Sequence, residues 1–403
     1  MISFEESMRI LESLEVKPTG LQKLPLTDCV GRYLAEDVVA HYDSPSAPTA
    51  AMDGYAIKAE DQALGELEVV AKTPAGSEVA RVLRSGEAIK TFTGSLMPEG
   101  ADTLIPIENV EVQGDRILIK EPVAKGFSVR PVGENFKKGD ILIKRGERIS
   151  FAEVGVMASL NKVYAKVYQR PKVAILSTGS EVLELGEPQT SPAQIRSSNN
   201  YTLEALAALH GAEPIQLGAV KDDKASITDA LQEALDSADI VVTTGGVSVG
   251  DYDFVKDVIR QELGADVAFK GVVIKPGQHV MVAKKGEKFI VGLPGFAYSS
   301  TVTFLIYLLP LIYRMQGSEY RPKMVLATLK EPFRKRSKKT EFTPCNVSIE
   351  DGEYFVDFAG NREGSSAILT NMLGANKALL VTTPEEGNKE IGERALVWLI
   401  NSL

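Results

Sequence analysis

With 403 residues and a net charge of −9, at a pI near 5.2, the chain is too long for one core and is expected to hold about two to four domains. The acidic balance argues against a nucleic-acid footprint, and the basic cluster KEPFRKRSKK at 330–339 reads as a solvated hairpin or loop. Two cysteines, Cys29 and Cys345, lie far apart without metal spacing; this weighs against a disulfide framework or zinc site and fits a reducing compartment.

The amino terminus opens on a charged amphipathic pattern with no apolar signal-peptide core. The longest apolar run, 302–313, is broken by Thr303 and Pro310. A cytoplasmic protein without membrane contact is therefore expected. Residues 3–14 read as a helix, with Ser3 and Glu6 as a capping box and Phe4, Met8 and Leu11 on one face. The same device recurs at Ser150 and Glu153, ahead of Val154, Met157 and Leu160. These two helices fit one domain that the chain leaves and re-enters. Between them, 43–127 carries short strand-like runs (66–70, 103–107, 116–119) between Gly and Pro turns, as an inserted β domain would.

From 171 onward strands and helices alternate: strand 172–176, the turn STGSE, helix 199–210, strand 214–218, helix 224–236, strand 239–243 and helix 254–262. The alternation predicts a parallel sheet with right-handed crossovers, whose ligands bind at the carboxyl ends of the strands. STG (177–179), TTGG (243–246) and LPGFAYSS (293–300) all follow apolar strands and so share that rim. After Arg321 the helical period disappears, and short runs such as 354–358 and 378–382 predict a small all-β domain.

TTGGVSVGDYD (243–253) is the most informative segment. A strand that ends in small residues before a helix is expected to leave backbone N–H groups facing an anion such as phosphate. Asp251 and Asp253 beside such a cradle make sense with a hard cation between them, so the residues point to a Mg²⁺-dependent enzyme acting on a phosphorylated or nucleotide-linked substrate. Glu181, Asp222 or Asp223, Asp251 and Asp253 are the candidate ligands on the rim. Helix-dipole complementation suits Glu181 equally well, an ordinary turn suits Asp222 and Asp223 better, and an N-cap role suits Asp253. Lys275, in KPG at 275–277, stands at the end of a predicted strand 271–275, with Lys270 nearby, and would supply positive charge for an oxyanion. Asp53, within APTAAMDGYAI (47–57), fits an Asp-Gly hairpin turn or a site residue.

These segments resemble the MoeA and gephyrin E-domain family of molybdopterin molybdenumtransferases. The resemblance is carried by MDGYA (52–56), FTGSLMPEGAD (92–102), GE (133–134), STGSE (177–181), DD (222–223), TTGGVSVGDYD (243–253), KPG (275–277) and LPG (293–295), in order along nearly the whole chain. It implies four domains: an elongated domain I (1–42 and 128–170), an inserted β domain II (43–127), an α/β molybdopterin-binding domain III (171–318) and a C-terminal β-barrel domain IV (319–403). It also implies a homodimer that converts adenylylated molybdopterin and molybdate to molybdenum cofactor and AMP, with Mg²⁺. A molybdopterin adenylyltransferase is a natural partner for such an enzyme.

By position, the resemblance makes Asp53, Glu181 and Asp253 catalytic, with Glu181, Asp222 and Asp253 serving the metal. Thr93, Arg130, Ser177, Thr178, Gly179, Gly245, Gly246, Ser248, Gly250, Pro294 and Gly295 would contact substrate, and Lys275 and Ser365 would help hold molybdate. Asp53 and Thr93 would reach the site across the dimer. The pattern departs from the family's at Asn135, Ser180, Ser197, Gly271, Gln278, His279, Ala297 and Glu341. A divergent member that binds a pterin nucleotide or handles tungstate, and a non-catalytic scaffold, are the competing readings.

Overall fold

A computed structural model describes residues 1–78, 81–246, 254–362 and 367–400. The chain divides into two compact units: Met1–Ala35 with Gly146–Ser150 and Tyr164–Leu403, and Glu36–Arg145 with Phe151–Val163.

The first unit is built on a six-stranded sheet in the order Glu213–Val220, Lys172–Thr178, Ile240–Thr244, Lys288–Leu293, Met281–Lys285, Asp266–Lys270. Its first four strands are parallel. The fifth runs antiparallel to the fourth, and the sixth, antiparallel to the fifth, points the same way as the first four, which corrects the expectation of a parallel sheet at this edge. The reason is local: only two residues separate the 281–285 and 288–293 strands, with Gly286 at φ +61°, and so short a loop can close only an antiparallel pair.

Because side chains alternate along a strand, successive residues feed different layers. Val173, Ile175, Ile240, Val242, Phe289 and Val291 pack in one core, under helix Ser198–Leu209 and the helical segment 297–315. Ala174, Leu176, Val241 and Ile290 pack in the other, with Ile227, Leu231, Ala234 and Leu235 of helix Lys224–Ser237. Strands covered on both faces are the reason these runs are continuously apolar.

Helix Phe4–Ser13 forms where the sequence places it, with Ser3 Oγ accepting from Glu6 N at 3.1 Å. Phe4, Met8 and Leu11 join the first core, and Ser7 Oγ meets Tyr307 OH at 2.9 Å. The second helix, Phe151–Ser159, forms as expected and falls in the other compact unit. The expected helix 254–262 starts as α-helix over Val255–Asp257 and continues as π-helix over Val258–Glu262.

His210 closes helix Ser198–Leu209 and its Nδ1 lies 3.1 Å from Tyr313 OH. Burial, then the charge of Arg148, pushes its pKa below the ordinary 6.5. The folded state therefore takes up this proton less readily than the unfolded chain. The stability tied to neutral His210 is complete above about pH 6.5 and is lost as pH falls toward the depressed folded value. Thermal unfolding between pH 7.5 and 5.5 is expected to show a steeper loss of Tm in the wild type than in His210→Gln. Parallel slopes would exclude this linkage.

The expected strand 271–275 does not form as one element. Gly271 turns at φ +73°, and only Ile274–Lys275 is extended, pairing with Thr340 and Glu341 instead of with the central sheet. Beyond it, Lys323–Leu329, Thr340–Glu350, Glu353–Asp357, Lys377–Thr382 and Arg394–Leu399 form a closed barrel. Closure follows because Thr340–Glu350 pairs with both Glu353–Asp357 and Lys377–Thr382. A closed sheet leaves no exposed edges, and its interior holds Ala327, Leu329, Cys345, Val356, Leu380 and Val397. Cys29 and Cys345 are both fully buried; burial raises both thiols, Cys345 to about 12, as suits core residues rather than nucleophiles.

The second unit holds a six-stranded sheet in the order Thr103–Pro106, Gly54–Ile57, Glu87–Thr91, Glu66–Thr73, Arg116–Ile119, Val110–Gln113. Tyr55, Ile57, Leu67, Ala88, Ile105 and Ile117 are its core. Gly54 is not in a hairpin turn: it lies inside a strand paired on both sides, with Thr91 and Pro106. A Cβ there would meet Ile105 O at 2.3 Å, so close strand approach is what demands glycine.

Among the described residues, no helix is long and apolar enough to cross a membrane.

Candidate functional site

In the first unit, the carboxyl ends of the parallel strands bring together the three loops that the sequence singles out. Ser177 stands opposite Thr244 in the pairing, and Thr244 stands opposite Leu293. Ser177 Oγ donates to Asn200 Oδ1 at 2.6 Å and lies 3.0 Å from Thr244 Oγ1. Asn199 Nδ2 donates to Gly295 O at 2.7 Å. These two asparagines, in the first turn of helix Ser198–Leu209, tie the loops into one rim. Sequence reading passed over both; their signal is an Asn pair opening a helix that returns beneath a strand end.

The glycines have a role different from the one expected. Gly179 N donates to Val220 O at 3.2 Å, and Gly245 N donates to Leu293 O at 3.2 Å. Neither amide is therefore left over for a phosphate. What requires glycine is proximity: a Cβ on Gly245 would stand 2.9 Å from Thr178 O, and one on Gly246 would stand 2.4 Å from Val255 Cγ2. Both also have positive φ, +89° and +64°, which glycine adopts at little cost. Thr178 Oγ1, buried against these glycines, has no hydrogen-bond partner among the described residues. Pro294 is half-buried and Gly295 exposed at the same rim.

Two carboxylates flank this floor. Glu181 is exposed and folds back over Gly179, where a Cβ would lie 2.7 Å from Glu181 Oε2. It opens no helix, since the next begins at Ser198, so helix-dipole complementation does not account for it. Asp222 Oδ2 accepts from Ser180 N at 3.4 Å, at the same turn. Asp223 instead caps helix Lys224–Ser237, its two oxygens accepting from Ser226 N at 2.9 Å and Ser226 Oγ at 2.7 Å. Those bonds hold its pKa below the ordinary carboxylate range. Asp222 is thus the member of the pair that bonds the turn carrying Glu181. Hard oxygens around one turn are the donors Mg²⁺ takes together with substrate phosphates; no group of three or more ligating side chains occurs among the described residues. Asp251 and Asp253, together with Ser248, Gly250 and Ser365, lie outside the described residues.

Lys275 lies on the short strand that pairs with the barrel. It sits at the barrel junction, its Nζ 3.6 Å from Glu341 Oε1. Lys270, at the end of the edge strand, lines a separate cleft of about 840 Å³ with Lys256, Asp257, Arg260 and Asp266.

In the second unit, Asp53, Thr93 and Arg130 gather around one loop. Asp53 Oδ1 accepts from both the N and the Oγ1 of Thr93, at 2.8 Å each; these bonds hold the exposed carboxyl below its ordinary range. Arg130 pairs across strands with Thr49 and forms an ion pair with Glu134.

Residues 2–161 match the MoeA N-terminal region (domain I and II), 174–314 a probable molybdopterin binding domain, and 327–400 the MoeA C-terminal region (domain IV). The molybdopterin molybdenumtransferase of Nostoc sp. is 33% identical over 411 residues, covering 98% of this chain and 93% of the relative. That of Haemophilus influenzae is 32% identical, covering 98% and 97%. Among solved structures, the molybdopterin biosynthesis MoeA protein of Pyrococcus horikoshii superposes with a TM-score of 0.84 at 29% identity, covering 99% of this chain and 100% of that one. Matched in this way along its length, and with the glycine and carboxylate loops gathered at one rim, the chain belongs to the MoeA family of molybdopterin molybdenumtransferases.

Proposed function

We propose that this transferase performs the metal-insertion step of molybdenum cofactor synthesis in the cytoplasm, converting adenylylated molybdopterin and molybdate to molybdenum cofactor and AMP. The observation that carries the reading is the convergence of Glu181 and Asp222 on the 177–181 turn, beside the Gly245–Gly246 floor. Glu181 and Asp222, with Asp253, would hold Mg²⁺, which when bound supplies charge neutralisation at the phosphoanhydride oxygens. The chain's own contribution is positioning. The Ser177–Asn200 and Asn199–Gly295 bonds fix the loops, and a fixed, glycine-lined floor orients a bound phosphate without reorganisation. Lys275 would receive the oxyanion, and Asp53, Thr93 and Arg130 would be contributed by a second copy of the chain in a homodimer.

The test is release of AMP from adenylylated molybdopterin by the purified protein with Mg²⁺, with and without molybdate. Molybdate-dependent release is expected. One observation favours a second reading, a member that binds the pterin nucleotide and inserts metal poorly: Lys275 already faces a carboxylate. Tight nucleotide binding with no release, under molybdate or tungstate, would select that reading. Absence of nucleotide binding would leave only a scaffold.

A further inference from the structure

Lys275 and Glu341 stand directly opposite each other where the strand Ile274–Lys275 pairs, in parallel, with the start of Thr340–Glu350. Residues opposite in a sheet project to the same side, and here Lys275 Nζ lies 3.6 Å from Glu341 Oε1. The two partners are not alike. The Lys275 side chain is 45% exposed, whereas that of Glu341 is 4% exposed and is held by Ser337, whose Oγ donates to Oε1 at 2.6 Å. Thr382, opposite Glu341 on its other side, is also fully buried. The nearby Lys339 donates to Gln278 Oε1, and Gln278 Nε2 in turn meets His279 Nε2 at 2.9 Å.

A carboxylate is itself an oxyanion. One fixed by a strand and a hydroxyl occupies a side of the ammonium that a tetrahedral oxyanion would use, and its charge repels a dianion on the side left open. We propose that Glu341 is a resident competitor for the Lys275 ammonium, a specificity-determining residue that keeps the affinity of this position for tetrahedral oxyanions low. The inference rests on the reading in which Lys275 receives the oxyanion substrate. It gives the barrel a part in the chemistry, because the competing charge comes from the barrel while the lysine comes from the segment that leaves the α/β sheet.

Removing one negative charge within a few ångströms of a bound dianion is expected to tighten binding by about ten- to a hundredfold, after the discount for a half-exposed lysine. The test is calorimetric titration of the full-length protein with molybdate and, in parallel, tungstate. Wild type is expected to bind weakly. Glu341→Gln, which keeps an acceptor for Ser337, is expected to bind ten- to a hundredfold more tightly, and the gain is expected to vanish in the double variant Glu341→Gln, Lys275→Met. Unchanged affinity in Glu341→Gln overturns the proposal, as does a gain that survives loss of Lys275. If Glu341→Gln does not fold, Glu341→Asp withdraws the charge by one methylene while retaining it; a smaller tightening supports the proposal and none overturns it. AMP release, measured separately, keeps the two ideas apart. Tighter oxyanion binding without AMP release removes the insertion reaction and leaves the competitor standing, whereas AMP release with no change in oxyanion affinity removes the competitor alone.

Discussion

Gly246→Ala is expected to lower AMP release by on the order of a hundredfold and to destabilise the α/β unit. Two costs add at this position. The backbone has φ +64°, where an L side chain is strained. The new Cβ would also lie 2.4 Å from Val255 Cγ2 and 3.0 Å from Thr178 Oγ1. Val255 is fully buried and β-branched, so it strongly prefers one χ1 rotamer and yields only at a cost. Overpacking of this kind costs about 1–3 kcal/mol. The cheapest relief is a shift of the 245–246 floor, and a displacement of about 1 Å from productive geometry is enough for a hundredfold loss of rate. Gly286→Ala separates the two costs, because Gly286 has nearly the same φ, +61°, with nothing within 4 Å of its added Cβ. Thermal unfolding and AMP release measured on both variants decide the matter. Equal loss of stability, with activity kept in each, would show that backbone conformation alone requires glycine at 246.

The order of strands and helices from 171 to 262 is legible in the sequence because it depends on local signals. Runs such as 173–176 and 240–242 are apolar throughout, and helix Lys224–Ser237 shows its buried stripe at Ile227, Leu231 and Leu235. What is not legible depends on partners distant in the chain. Nothing in residues 266–285 announces that the strand Met281–Lys285 runs antiparallel to the rest; the one sign is the two-residue gap at Gly286–Glu287 that follows. The fate of Lys275 turned on Gly271: a left-handed glycine breaks the expected strand and delivers the lysine to the barrel, opposite a carboxylate 66 positions later in the chain. The phosphate-cradle reading of the glycine loops holds only in part. Small residues at strand ends do mark the rim, but the amides of Gly179 and Gly245 are already bonded within it. Their value is close packing, which a motif does not distinguish from phosphate cradling.

Asp222 and Asp223 are adjacent, carry the same charge and read alike in the sequence, yet their variants are expected to differ sharply. Asp223 Oδ1 and Oδ2 both accept from Ser226, so Asp223→Ala removes a helix cap. It is expected to lower Tm by a few degrees while leaving AMP release near the wild-type rate. Asp222 half-faces solvent and reaches the turn that carries Glu181 through Ser180 N at 3.4 Å. Asp222→Asn keeps the size and an acceptor oxygen but removes the charge a divalent cation needs. Loss of one such ligand or of its support typically costs about 10- to 100-fold in metal affinity or activity, so AMP release is expected to fall by that factor with little change in Tm. The diagnostic measurement is the Mg²⁺ concentration for half-maximal AMP release, which is expected to rise in Asp222→Asn and to stay put in Asp223→Ala. The reverse pattern would assign the cation to the cap residue, and helix Lys224–Ser237 would then have to give up its first-turn bonds whenever the metal bound. A Mg²⁺ requirement unchanged in both variants would remove this loop from the cation site and leave Glu181 as its described ligand.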